Sequence, residues 1–240
     1  MLPARIDDVV FTNAAEERHL KRLVTGELGF PSHAKSGILL HGKYGTGKTT
    51  LAHLLASLLE YLHAEETDKQ AYNWCYRYRS SQVSITPHQT GRTAVTPASF
   101  TLINCGKHHS NSSTSVVQQI ENVSNSNLRC GFLAGNFNHF VLDELDCWSA
   151  AAQANLKGLI TDSPNWNVFY VTTNKRHAID NGIISRCINV EMNGGKPAQH
   201  LRVLRQHYAH LAQYTDEQLT RVVTASGGDW RDMEDAACRL

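Results

Sequence analysis

No run of 18 or more apolar residues occurs in the 240-residue sequence, so composition offers no membrane-spanning helix and no membrane partner is expected. The opening stretch, Met1-Leu2-Pro3-Ala4-Arg5-Ile6-Asp7-Asp8, has no apolar signal-peptide core, and a cytoplasmic location is expected. Cys-x-x-Cys spacing is missing too. The six cysteines, Cys75, Cys105, Cys130, Cys147, Cys187 and Cys238, suit neither a paired-cysteine zinc site nor a disulfide framework, and in a reducing compartment most are expected as free buried thiols. Long runs of one charge sign are absent, and 23 basic against 22 acidic residues leave a net charge of +1. That balance excludes bulk electrostatic attraction to nucleic acid but leaves room for a local basic surface on an assembled ring.

What is present is concentrated in four elements. Gly42-Lys43-Tyr44-Gly45-Thr46-Gly47-Lys48-Thr49 follows the apolar run Ile38-Leu39-Leu40 and opens a helical stretch from Thr49 to Tyr61. This strand, loop and helix order is what a phosphate-binding loop needs. Its glycines permit backbone conformations closed to other residues, so that successive N–H groups face the β- and γ-phosphates, aided by the helix N-terminus. Lys48 is the expected cation on the phosphates and Thr49 an expected Mg²⁺ ligand. The nucleotide contacts expected from this element are Gly42, Gly45, Thr46, Gly47, Lys48, Thr49 and Thr50.

The second element, Phe140-Val141-Leu142-Asp143-Glu144, reads as a strand buried on both faces whose terminal acids emerge beside the phosphates. Asp143 is expected to hold Mg²⁺ through its water shell, and Glu144 to polarise the attacking water. The third, Val171-Thr172-Thr173-Asn174, brings a neutral amide to the same edge, suited to bonding the water or γ-phosphate. The fourth, Ser185-Arg186-Cys187, supplies a guanidinium, the group best matched to charge developing on a transferred phosphoryl. Taken in this order, they read as an ATPase acting in an oligomer with ATP and Mg²⁺ as cofactors.

At these residues the chain resembles the AAA+ ATPases, in particular the clamp-loader branch: replication factor C, phage clamp loaders and the bacterial gamma and delta-prime subunits. The resemblance extends from about Asp7 to the C-terminus. It includes Asp8-Val9-Val10, where such ATPases cover the adenine; Ala151 to Lys157 after the acids; Ile183 to Ile188; and Gly227-Gly228-Asp229-Trp230-Arg231, similar to the Gly-Asp-x-Arg lid motif. It implies Val9 and Val10 at the base, Arg231 as lid arginine, Arg186 as a finger sent into the neighbouring subunit's site, and DNA and a sliding clamp as partners. The family continues into a helical collar of about a hundred residues, a domain-sized piece, whereas this sequence stops at Leu240. Either a truncated chain or assembly through the ATPase module and lid alone is expected. A nucleotide-switched scaffold that recruits or regulates a protein partner on DNA, such as a helicase, transposase or effector nuclease, is the alternative function.

Periodicity gives strands at Gly37 to Leu40, Phe100 to Asn104, Phe140 to Leu142, Val168 to Val171 and Cys187 to Val190. Helices are expected at Glu16 to Thr25, Thr49 to Tyr61, Ser115 to Val123, Ala150 to Leu159, Ala198 to Leu211, Asp216 to Val223 and Trp230 to Leu240. The fold class is α/β: a P-loop module with a mainly parallel five-stranded sheet between helices at residues 1–194, and a helical lid at 195–240. Residues 64–99 form an insertion in which Trp74, Tyr76, Arg77, Tyr78, Arg79, His88 and Arg92 suit either single-strand stacking or a surface hairpin packed on the core. One cysteine there is too few for the four-cysteine zinc module that gamma-type subunits carry. Lys107, His108 and Ser112 to Thr114 precede a helix whose N-terminus suits either DNA phosphates or an ordinary cap. Asn104 closes the second strand near Glu144, where it could couple partner binding to that residue.

Overall fold

The computed structural model describes residues 6–32, 34–63, 73–79, 82–88, 100–107, 113–130, 137–162 and 166–240. A five-stranded sheet carries the fold, with strands β1 (Gly37–His41), β4 (Phe100–Asn104), β5 (Asn138–Asp143), β6 (Asn167–Thr173) and β7 (Cys187–Glu191) in the spatial order β4-β5-β6-β1-β7. Every pairing is parallel; Leu39 of β1 stands level with Val171 on one side and Asn189 on the other. Parallel neighbours require crossovers, and helices supply them: α2 (Lys48–His63), α3 (Ser113–Cys130), α4 (Ala150–Asp162) and the short α5 (Asn181–Ser185), while α1 (Ala14–Val24) precedes β1 and packs beside α2.

Strand pleat divides the core in two. Ile38, Leu40, Val141, Val168 and Tyr170 face α1 and α2, where Leu51, Leu54 and Leu55 cover them. Leu39, Phe140, Leu142, Phe169 and Val171 face the other way, onto Ile120 of α3, Leu156 and Ile160 of α4 and Ile183 of α5. Alternate residues therefore bury on opposite faces, which is why these strands are continuous apolar runs.

Two strands extend past their apolar runs into buried polar residues. Asn138 donates to Asn167 Oδ1 at 2.9 Å, and Asn167 donates to Ser124 Oγ at 2.9 Å. His139 bonds Glu60 through Nε2 at 2.8 Å and Tyr170 Oη through Nδ1 at 2.9 Å. Partnered in this way, polar side chains enter a core without the usual desolvation penalty.

The last three helices, α6 (Pro197–His207), α7 (Asp216–Ala225) and α8 (Trp230–Cys238), share a cluster of Leu201, Leu204, Leu211, Leu219, Val223, Met233 and Ala237. The single helix expected over Ala198 to Leu211 ends at His207, and a 3₁₀ turn, Ala209–Gln213, follows. Arg205 explains the break: its guanidinium bonds Leu211 O at 3.1 Å and Tyr214 O at 2.8 Å, folding the chain back. Among the described residues Cys105 and Cys187 are buried free thiols, and Cys147 and Cys238 are exposed free thiols.

Within the 64–99 insertion, β2 (Asn73–Arg79) and β3 (Gln82–His88) pair antiparallel as a second, two-stranded sheet, with Tyr76 opposite Ile85. The side chains of Trp74, Tyr76, Arg77, Tyr78, Arg79 and His88 lie outside the described residues, as do Arg92, His108, His109 and Ser112. No helix among the described residues is long and apolar enough to cross a membrane.

Candidate functional site

The carboxyl ends of β1, β6 and β5 stand side by side, so the loop after β1, Asn174 after β6 and the acids after β5 meet at one edge of the sheet. A cleft there is lined by Gly45, Thr46, Gly47, Lys48, Thr49 and Thr50 from the loop and α2. Asp143, Glu144, Thr172 and Asn174 form its floor, Asp8 and Val9 come from the N-terminal segment, and Trp230, Arg231 and Glu234 come from α8.

The loop after β1 is shaped by its glycines, since Gly42, Gly45 and Gly47 have φ of 143°, 71° and 86°. A Cβ on Gly42 would overlap the Met192 carbonyl, so only glycine lets the loop approach the chain after β7. Lys48 is buried, and its ammonium donates to Gly42 O at 3.0 Å and to Lys43 O. Burial pushes this ammonium down to about 8, with Asp143 and Asp146 opposing the shift. Thr46 Oγ1 closes the loop on Lys43 O at 2.9 Å.

Asp143 is gripped from two sides. Thr49 Oγ1 donates to its Oδ1 at 2.6 Å and Thr172 Oγ1 donates to the same oxygen at 2.7 Å. A threonine hydroxyl beside a carboxylate is the hard-oxygen set that Mg²⁺ takes, so these residues fit the ion. Glu144 follows in the left-handed region at φ 59° and ψ 48°, and is the one non-glycine residue with positive φ among the described residues. Such a conformation costs on the order of 1–3 kcal/mol and persists where its surroundings impose it. Here the Glu144 N–H donates to Thr172 Oγ1 at 3.0 Å. Its carboxylate turns toward Gly106, where a Cβ would lie 2.8 Å from Glu144 Oε2 and 3.3 Å from Asn104 Oδ1. Asn104 is thus brought to the edge of the acidic pair.

Asn174 is fixed through a residue that no motif marks. Asp146 Oδ1 accepts from Thr173 Oγ1 at 2.8 Å and from the Asn174 N–H at 3.4 Å. From the opposite wall, the Trp230 N–H donates to Gly45 O at 2.9 Å, which seats the start of α8 on the loop and puts Arg231 in the cleft.

Three expected residues stand apart from the cleft lining. Val10 is buried beside Gly195, and Gly42 sits at the base of the loop. Arg186 caps α5, with Nη1 donating to Gly182 O at 2.9 Å, and points into no part of this cleft. Thr172, Asp8, Tyr44, Trp230 and Glu234 line the cleft without a role assigned from the sequence, and Asp146 stands outside the lining, holding Thr173 and Asn174. The polar run Thr172-Thr173-Asn174 carried a signal for the first, and Tyr44, 65% exposed within a phosphate loop, is the most conspicuous of the rest.

No protein-family model matches the sequence, and no curated protein matches it. Among solved structures it is similar to the Thermotoga maritima RuvB Holliday junction branch migration motor, with 15% identity and a TM-score of 0.57 over 95% of this chain and 61% of that one. The fold is the RuvB-like AAA+ fold. At this identity the likeness carries the fold alone and does not select the clamp-loader branch. The chain spans less than two thirds of that neighbour, and within the AAA+ fold the cleft occupies the crevice at the carboxyl edge of the sheet, where open α/β sheets bind ligands.

Proposed function

We propose that the chain is an ATP-hydrolysing AAA+ subunit that works in an oligomer on DNA as a clamp-loader-like motor, with ATP binding driving assembly and hydrolysis driving release. The observation that carries this reading is the convergence of Lys48, Thr49, Asp143, Glu144, Asn174 and Arg231 on one cleft while Arg186 stands outside it. The fold-level likeness to a motor that works on a DNA junction supports the DNA part.

In this reading the loop N–H groups and the Lys48 ammonium hold the β- and γ-phosphate oxygens, and Lys48 exchanges its bonds to Gly42 O and Lys43 O for bonds to phosphate. Thr49 and Asp143 would hold Mg²⁺, which would supply charge neutralisation on those oxygens. Glu144 takes a proton from the attacking water as its oxygen bonds the γ-phosphorus and the bond to the ADP oxygen breaks. Asn174 orients that water, Arg231 reaches the phosphates from the lid, and Arg186 of one subunit stabilises the charge developing in the next. Val9 is the residue for the adenine end, and Val10, outside the cleft lining, is not given that role.

Steady-state ATP hydrolysis, with mass followed by light scattering and with or without primer-template DNA, tests the proposal. DNA-stimulated turnover together with ATP-driven assembly is the expected result. Assembly by ATP with no effect of DNA would favour a scaffold that recruits a protein partner, and absence of both would overturn the reading. The finger role has its own test: Arg186→Ala is expected to be inactive alone but active when mixed with Glu144→Gln, since each complements the other's defect. Failure of the mixture to recover in a well-mixed oligomer would contradict action in trans.

A further inference from the structure

The start of α8 touches the loop after β1 directly. A helix leaves its first N–H groups without intrahelical partners, and α8 gives the first of its own, on Trp230, to Gly45 O at 2.9 Å. The preceding residue, Asp229, caps the helix by accepting the Arg231 N–H at 2.8 Å, and its carboxylate lies over Gly45 so closely that a Cβ there would overlap it. Asp229 is absent from the cleft lining, whereas Trp230 and Arg231 belong to it. The Trp230 ring rests against buried His200, with ring centroids 5.1 Å apart, and both His200 ring nitrogens lack a hydrogen-bond partner among the described residues. One side of the turn is therefore fastened to the loop, and the other packs against the buried His200 ring.

We propose that Asp229 and Trp230 form a latch between the phosphate loop and the lid, so that the loop's backbone conformation sets the position of α8 and with it Arg231. The latch rests on the ATP-site reading for its consequence, not for its existence. When phosphates organise the loop amides, the Gly45 carbonyl carries α8 with it. Arg231, one residue beyond the bond, is then placed by the loop as well as by its own attraction to phosphate. Asp229 and Trp230 act as positioning residues.

The test compares Trp230→Pro with Trp230→Phe in the full chain. Proline at the first helical position suits a helix and removes the N–H, and Asp229, at φ −77° and ψ 120°, already has the conformation that precedes proline. Phenylalanine keeps the N–H and an aromatic ring. Amide hydrogen exchange over residues 231–238 without nucleotide reads the latch itself: Trp230→Pro should exchange at least about tenfold faster than Trp230→Phe. With a fluorescent ATP analogue, both variants should bind within about threefold of each other, while ATP-induced protection of α8 and turnover should be about tenfold lower in Trp230→Pro than in Trp230→Phe. Equal exchange and equal turnover in the two variants would overturn the latch. A faster-exchanging Trp230→Pro in a chain that binds no nucleotide would sustain the latch and defeat the ATP-site reading instead.

Discussion

Two polar clusters sit inside the apolar frame of this protein, and they are built in opposite ways. Around His139, three side chains close on one another: Glu60, His139 and Tyr170 are all fully buried and joined by bonds of 2.8 and 2.9 Å. At the carboxyl edge, the bonds are ones a ligand can replace. Lys48 donates to carbonyls of its own loop, Thr49 donates to Asp143, and Glu144 is held in a left-handed conformation beside an open cleft. A polar cluster whose members satisfy each other stabilises the scaffold, whereas one held by substitutable bonds and a strained acid is prepared for chemistry.

The sharpest way to break this contrast is to alter one residue of each cluster. Glu144→Gln should lower turnover by about 10²- to 10⁴-fold, the usual contribution of a general base, with nucleotide affinity and melting temperature retained; a coupled hydrolysis assay beside calorimetric titration reads both. His139→Ala should do the reverse. Truncating this buried ring and losing its hydrogen bonds to Glu60 and Tyr170 costs about 3–5 kcal/mol, read as a shift of the urea midpoint, while ATP affinity per folded chain stays the same. Loss of ATP affinity in a folded His139→Ala protein would erase the distinction.

Acid should expose the scaffold before the site. Burial on α2 holds the His53 ring down to about 4, against about 6.5 when it is free. Because the folded chain keeps this ring neutral, unfolding takes up a proton between those values. Stability on the order of 3 kcal/mol, present above pH 6.5, is therefore lost as pH falls toward 4. Urea midpoints from pH 7 to 4.5 should slope in the wild type and flatten in His53→Leu. The smallest effect expected is Glu144→Gly, which relieves the left-handed backbone and should raise stability by about 1 kcal/mol while abolishing turnover, a stability–activity trade confined to the cleft.

The contrast also explains what could be read in the sequence. The central strands β1, β5 and β6 were legible because burial on both faces makes them apolar runs, and the half-buried edge strands β4 and β7 by shorter apolar stretches, yet β5 and β6 begin earlier than their runs because Asn138, His139 and Asn167 are polar and buried. Gly45 to Thr49, Asp143, Glu144, Asn174 and Arg231, which line one cleft, could be singled out because each stands in a motif of fixed residue type and spacing. Thr172 and Asp146 escaped notice because they act by holding other site residues, a task that many side chains can perform. The Trp230 to Gly45 bond is invisible in sequence for a deeper reason: a backbone donor meets a backbone acceptor far along the chain, and no residue type encodes it. The break after His207 depends likewise on one guanidinium reaching carbonyls beyond the helix.

The central claim is that this cleft binds a nucleoside triphosphate through Lys48. Equilibrium titration of Mg²⁺-ATP into the wild-type chain and into Lys48→Ala tests it most directly. The account predicts saturable binding of one nucleotide per wild-type chain and its loss in a folded Lys48→Ala protein. Wild-type protein that binds no ATP, or a Lys48→Ala protein that binds it as tightly, would contradict it.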